Sequence, residues 1–156
     1  FYREQAWNFL LAGGGTFNNL DYSFTIGHED GTDTEPNGPG GGSAALRKQL
    51  AVLAEFLRSL DVVKMRPDSL AVVSAPGLYT QTLSLPGEQY AVYATGAGPA
   101  RLELAIPAGA YVAEWIDTKT GAVVKRERVA HGGGALALAS PAFEEDIALR
   151  VAREPR

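Results

Sequence analysis

Between residues 70 and 152 the chain breaks into short runs of alternating apolar and polar residues, each closed by glycine or proline. That recurrence leaves few folds open. The runs are Leu70 to Ser74, Tyr79 to Leu85, Gln89 to Thr95, Ala100 to Ile106, Ala110 to Asp117, Ala122 to Val129, Gly134 to Ala139 and Asp146 to Ala152. Between them stand turn formers such as Ala75-Pro76-Gly77, Pro86-Gly87 and Gly96-Ala97-Gly98-Pro99. Strands at this spacing, without intervening helical periods, predict an antiparallel β-sandwich of immunoglobulin-like type rather than βαβ units.

The stretch ARLELAIPAGAYVAEWIDTKTG shows the pattern most clearly. Leu102, Leu104 and Ile106 alternate with Arg101, Glu103 and Ala105, the period of a strand with one buried face. Pro107-Ala108-Gly109 interrupts, then Tyr111, Ala113 and Trp115 alternate with Val112, Glu114 and Ile116. Asp117 to Gly121 supplies a turn, and Val123 to Val129 reads as the return strand. Two adjacent hairpins at the centre of one sheet are expected. Tyr90, Tyr93, Tyr111 and Trp115 either fill the core of that sandwich or, on an exposed face, form a stacking platform. Within one strand Tyr111 and Trp115 share a parity with Ala113, which favours the core.

The front of the chain obeys a different period. Residues 1 to 12 read as a helix already under way, with Trp7, Leu10 and Leu11 on its apolar face and Gly13-Gly14-Gly15 as its stop. Such a beginning is expected of a fragment or processed piece. Thr16-Phe17-Asn18 suits a short strand. Ser43 is an N-cap for a second helix to Asp61, striped by Leu46, Leu50, Leu53, Leu57 and Leu60. Each leucine gains about 1.5–3 kcal/mol on full burial, so that face must pack on something. Pro67 closes the segment, dividing the chain into residues 1–67 and 68–156.

Charge and composition remove several function classes. The net charge is -4, and no basic block is present to neutralise phosphates, so no nucleic-acid partner is expected. No apolar run is long enough for a membrane span. There is no cysteine, which removes disulfides and thiolate metal sites and fits either side of a bacterial membrane. The glycine runs at 13–15, 40–42 and 132–134 lack the G-K-[ST] of a phosphate loop and the G-x-G-x-x-G of a dinucleotide site. Gly40-Gly41-Gly42-Ser43 opens a helix whose free N–H groups suit an anion, but a flexible helix entry with a serine cap is the favoured explanation. No G-x-S-x-G elbow supports a catalytic triad, and no cofactor motif is present.

The long stretch Asn18 to Gly42 keeps no period and far exceeds the usual connection of about 4–6 residues. It holds Asp21, Tyr22, His28, Glu29, Asp30, Asp33 and Glu35. Around Gly31, His28-Glu29-Asp30 with Asp33 suits Ca²⁺ in residue type, but neither the EF-hand register nor a zinc spacing is present, and no metal is assigned.

Three stretches carry a family likeness: AWNFLLAGGGTFNNLDYSFTIGHEDGT (6–32), PGGGSAALRKQL (39–50) and AYVAEWIDTKTG (110–121), with the ending Pro141 to Leu149. Together they resemble the C-terminal portion of bacterial glycoside-hydrolase-like proteins. In that family a (β/α)8 barrel precedes a small β-sandwich, often labelled a collagen-binding domain of a collagenase. The resemblance implies that residues 1 to 12 are the penultimate barrel helix and Gly13 to Asn18 the last barrel strand. Residues 19 to 42 would be its loop, 43 to 61 the last barrel helix, and the remainder the sandwich. Barrel enzymes gather their groups from the ends of several strands. A glycosidase needs two carboxylates, about 5–5.5 Å apart when retaining and about 6.5–9.5 Å when inverting. One strand end does not supply such a pair.

The expected function is therefore a non-catalytic part of a glycoside-hydrolase-like protein that braces the barrel. Asn18, Asn19, Asp21, Tyr22, His28 and Glu29 are the candidate carbohydrate-lining residues. The partners are a polysaccharide or glycan and the rest of a barrel, in a secreted or periplasmic setting. The alternatives are an independent carbohydrate- or collagen-binding module, an enzyme complete in these residues, or a plain acidic loop held by local Asx turns.

Overall fold

A computed structural model describes residues 1–34 and 41–155. Two helices, α1 (Tyr2–Leu11) and α2 (Ala44–Arg58), precede nine strands. The strands are β1 (Arg66–Pro67), β2 (Val72–Ser74), β3 (Tyr79–Leu85), β4 (Gln89–Thr95), β5 (Arg101–Ala105), β6 (Gly109–Ile116), β7 (Val123–His131), β8 (Ala135–Ala139) and β9 (Asp146–Arg153). They form an antiparallel six-stranded sheet, β1-β3-β4-β9-β6-β7, and a three-stranded sheet, β2-β5-β8.

Two expectations from the sequence are corrected. The 100–121 stretch does not make a pair of adjacent hairpins in one sheet. Its second half does: β6 pairs with β7, Tyr111 opposite Val129, across the turn at Asp117. Its first half, β5, pairs instead with β2 and β8. Pro107-Ala108-Gly109 is a crossing between sheets, so Leu102 and Leu104 meet Tyr111 and Trp115 through the core rather than along a ladder. Nor is Thr16-Phe17-Asn18, or Gly13 to Asn18 as a whole, a strand: the segment has no regular structure. A strand exists only with a partner to bond, and among the described residues no strand runs beside it. Conversely, β1 lies where only a boundary was expected, and Pro67 is tolerated because β1 is an edge.

The sheets enclose one core of Leu102, Leu104, Leu136, Leu138, Ile147, Leu149 and Val151 with Tyr90, Tyr111 and Trp115. A second core lies on the opposite face of the larger sheet, where Trp7, Leu11, Leu53, Phe56 and Leu60 meet Leu83, Ala91, Tyr93, Ile116 and Ala148. Strands β4 and β9 are therefore buried on both faces. This explains why Tyr90-Ala91-Val92-Tyr93-Ala94 and Ile147-Ala148-Leu149 read as continuous apolar runs. The leucine stripe of α2 is used as its spacing requires, with Leu53 and Phe56 buried and Leu50 and Leu57 packed around them. Ser43 caps that helix, its hydroxyl accepting from the Leu46 N–H at 3.0 Å. At the free edge, β7 carries Lys125, Arg126, Glu127 and Arg128, a charged border that discourages further pairing.

Candidate functional site

The most built polar arrangement in the molecule joins α1 to the larger sheet. Arg3 sits one residue into α1, on the face that carries Trp7, and is 5% exposed. Its guanidinium donates to Asp146 Oδ2 and Thr118 Oγ1, and to Glu145 Oε2 at 3.1 Å. Asp146, at the start of β9, also accepts from Tyr93 Oη at 2.6 Å and from Thr118 Oγ1 at 2.7 Å. Trp7 lies flat over Tyr93, ring centroids 5.4 Å apart at 17°. Outside this knot, Lys119 reaches Glu145 at 2.8 Å.

The electrostatics follow from the geometry. Burial disfavours the charge on Arg3, but the hydrogen bond to Asp146 and its negative charge outweigh it, and the net shift is upward. Burial pushes the Tyr93 phenol strongly up, and bonding to Asp146 adds to the shift, so it stays a protonated donor. At the exposed edge Lys119 draws the Glu145 carboxyl below its ordinary value through their hydrogen bond and charge. Asp146 has both oxygens engaged and its side chain is 1% exposed, so it meets no substrate. This is a joint, not a reaction centre.

Beside the joint lies the loop that follows α1. Asp21 Oδ1 accepts from the Ser23 N–H at 3.0 Å and from its hydroxyl at 2.5 Å. Arg47 of α2 donates to Asp21 Oδ2 at 2.7 Å, to Ser23 Oγ at 2.9 Å and to the Gly31 carbonyl at 2.8 Å, while lying over the Phe24 ring. The Ser23 hydroxyl holds the Asp21 carboxyl below its ordinary value; burial opposes it, and Arg47 and the Ser23 N–H add to the lowering. Two glycines permit this clamp. A Cβ on Gly42 (φ 142°) would stand 1.9 Å from Asp21 Oδ1, and one on Gly31 (φ 76°) would meet Phe24 and Arg47 within 3 Å.

The six candidate lining residues fall into separate places. Asp21 is held in the Arg47 clamp, and Tyr22 beside it is half-buried, its N–H donating to the Gly41 carbonyl at 3.0 Å. His28 and Glu29 are exposed further along the loop. Glu29 accepts from the Gly27 N–H, and His28 Nδ1 lies 3.2 Å from Thr32 Oγ1. Asn18 is exposed, and Asn19 is half-buried with its Nδ2 enclosed and unbonded. Among the described residues no side-chain hydrogen bond or ion pair joins His28 or Glu29 to Asp21, and His28 touches the clamp through its backbone, its carbonyl accepting from the Gly31 N–H at 2.9 Å.

Among the described residues no three His, Cys, Asp or Glu side chains are placed to hold a metal ion. Asp30 bonds Thr32, and Asp33 bonds the Thr25 hydroxyl. Glu35 and Gly40, the latter part of the anion reading of the helix start, lie outside the described residues. A depression of about 230 Å³ is lined by Asp117, Glu144, Glu145 and Asp146, but three of these are already bound. Asp117 caps its own turn through the Lys119 and Thr120 N–H groups, Glu145 pairs with Lys119 and Arg3, and Asp146 is locked in the joint. Tyr90, Tyr93, Tyr111 and Trp115 are all buried, so none offers a ring to a ligand; Tyr93 turns to the helices rather than the inner core.

Arg3, Thr118, Asp146 and Arg47 were not singled out from the sequence. A visible hint was a lone arginine on the Trp7 face of a helix. No helix among the described residues is long and apolar enough to cross a membrane.

No protein-family model matches the sequence, and no curated protein does. Solved structures are similar in fold. One is a glycoside hydrolase, with a TM-score of 0.54 and 16% identity, the match covering 76% of this chain and 30% of that one. Another is a glycoside hydrolase family 5 protein from Bacteroides vulgatus, with a TM-score of 0.52 and 15% identity, covering 67% of this chain and 24% of that one. The chain thus spans less than a third of the length of either.

Proposed function

We propose that these residues are a non-catalytic C-terminal part of a glycoside-hydrolase-like protein, in which the strands from about residue 68 form an immunoglobulin-like sandwich that braces a (β/α)8 barrel. Residues 1–67 then correspond to the end of that barrel, with α1 and α2 as its last two helices. The observation that carries the reading is the joint: Arg3 is buried against Asp146, Thr118 and Tyr93, with Trp7 stacked above. A helix fixed to a sheet by a buried ion pair and an aromatic stack transmits position rather than flexing, which is what a brace requires. Leu50 and Leu57 of α2 pack on the same sheet face and widen the contact. The fold likeness to parts of two glycoside hydrolases supports the family of the longer protein.

In this reading the loop borders a carbohydrate site whose reacting groups lie elsewhere. Asn18, Asn19, Tyr22, His28 and Glu29 contact the glycan, while Asp21 shapes the loop through Arg47. The binding-module alternative loses its aromatic platform to burial. The test uses the full encoded protein with and without residues 68–156. Loss of the sandwich should lower the melting temperature of the remainder and its cleavage of a polysaccharide panel. An unchanged melt and unchanged cleavage rule out the brace. Asn18→Ala and His28→Ala should raise KM without altering the melt; unchanged kinetics remove the loop from the site.

A further inference from the structure

Lys125-Arg126-Glu127-Arg128 reads along the chain as mixed charge, but the strand period sorts it by face. Lys125 and Glu127 lie opposite Trp115 and Ala113, on the side of the core between the sheets, and pair with each other at 3.1 Å. Arg126 and Arg128 lie opposite Glu114 and Val112 on the other side. Helices α1 and α2 occupy that side at Ala91, Tyr93, Ala148 and Ile116, and leave its β7 end open. An edge built only to repel a further strand could carry charge of either sign. Between Lys125 and Arg128, β7 gives this face two cations and no acid.

The open end is a concavity of about 710 Å³. Half-buried Val112 and Ala152, paired across β6 and β9, lie in its floor. Four arginines border it, Arg126, Arg128, Arg150 and Arg153, against two glutamates, Glu114 and Glu154. That is a local excess of cations in a chain whose net charge is -4. The four differ in what they already hold. Arg150 donates to Glu114 Oε2 through Nε at 2.9 Å and through Nη2. Arg153 donates to the Gly87 and Ala108 carbonyls at 2.8 and 2.6 Å. Arg126 and Arg128 are 61% and 79% exposed and make one ion pair each, with Glu114 at 3.5 Å and Glu154 at 2.8 Å. Neither makes a hydrogen bond among the described residues. Exposed pairs of that kind hold weakly, so both guanidinium forks are open to an incoming anion.

We propose that this arginine-bordered face of β6 and β7 binds an anionic glycan, one whose sugars carry carboxylate or sulfate groups. The charge of the ligand rests on the arginines, and its sugar rests on the reading of the chain as part of a glycoside-hydrolase-like protein. Arg126 and Arg128 stand two positions apart on one face, about 6.8 Å, and each fork grips an anionic group through parallel N–H bonds. Val112 and Ala152 meet the C–H face of a sugar ring between those groups. Ser59, which borders the concavity, is twelve residues along α2 from Arg47, about 18 Å from the loop clamp at helical rise. A long chain held at this face is therefore kept near the loop without occupying it, which raises its local concentration there.

Binding of dextran, carboxymethyl-dextran and dextran sulfate to the full encoded protein tests this, since the three polymers share one backbone. At least one charged dextran should bind about tenfold or more tightly than plain dextran at about 50 mM salt, and progressively less tightly towards about 0.5 M. Which of the two binds names the group recognised. Arg126→Gln with Arg128→Gln should weaken that binding about tenfold or more and leave the melting temperature unchanged. A charge-matched control, Arg58→Gln with Arg101→Gln, removes two exposed arginines elsewhere and should weaken it less than about threefold. Equal losses in the two double variants would overturn the proposal, because the attraction would then be diffuse. Unchanged affinity in the Arg126 and Arg128 variant would overturn it, as would equal binding of the three dextrans. Tighter binding of polyglutamate than of either charged dextran would do the same, by making the partner an acidic peptide. A polysaccharide cleavage panel on the same preparation separates the two readings. Cleavage without charged-dextran binding removes the arginine site and leaves the glycoside-hydrolase-like reading, whereas binding without any cleavage leaves the site and removes that reading.

Discussion

Replacing Arg3 by Met isolates the energy of the joint. The change removes a guanidinium that is 5% exposed and leaves Asp146, whose side chain is 1% exposed, with only the Tyr93 and Thr118 hydroxyls. A buried carboxylate stripped of its countercharge costs about 3–5 kcal/mol. For a domain of this size about 1 kcal/mol moves the melting temperature by roughly 2–4 °C, so the expected fall is about 6–20 °C. The reverse change, Asp146→Asn, should cost less. Arg3 then keeps Glu145 at 3.1 Å, and that carboxylate is half in water and able to follow it. The double change Arg3→Met with Asp146→Leu removes both charges and should recover much of the loss, because a buried pair replaced by apolar groups is close to neutral. Urea titration followed by tryptophan fluorescence suits the measurement, since Trp7 stacks on Tyr93 beside the pair. A double-mutant cycle then yields the coupling directly. Additive single changes of under about 1 kcal/mol each would refute the reasoning, because they would mean that the pair is not desolvated.

Tyr93→Phe should cost about 1.5–3 kcal/mol at neutral pH, the worth of a hydrogen bond to a charged acceptor. It should also flatten the alkaline limb: above about pH 10 the unfolded chain loses the phenolic proton and the folded chain keeps it, so stability falls as pH rises. Urea unfolding at pH 8 and pH 11 reads both effects. In acid the sign reverses. The depressed Asp21 carboxyl contributes stability that is present above its unfolded value near about pH 4 and is lost as pH falls through the lower folded value. Limited proteolysis of the 21–34 loop should therefore accelerate below about pH 4, and Arg47→Met should bring the same acceleration at pH 7. Gly42→Ala should loosen the same loop, because its Cβ has no room beside Asp21 and its φ of 142° disfavours any side chain. A proteolysis rate equal to that of the unaltered chain would dismiss that account.

The longer strands of the two sheets and both helices were legible because their signals are local. Tyr79–Leu85 and Gln89–Thr95 begin and end where alternation and turn residues place them, and α2 starts after its serine cap. The site was far less legible. Asp21 was identified by residue type, yet its role in the clamp depends on Arg47, twenty-six positions away, and on two glycines that keep the space open. Nothing in the loop's composition revealed that Asp21, Glu29, Asp30 and Asp33 would each be used internally.

By itself the sequence determined the period of each element, the turns between them and the need to bury the α2 leucines, since these depend on neighbours within a few positions. Tertiary structure alone decided that β5 and β6 belong to different sheets, that Tyr93 faces the helices, and that Arg3 meets Asp146 across 143 positions. An alternating run has the same side-chain period whichever strand it bonds, and a charge carries no mark of its partner until the chain has folded around both.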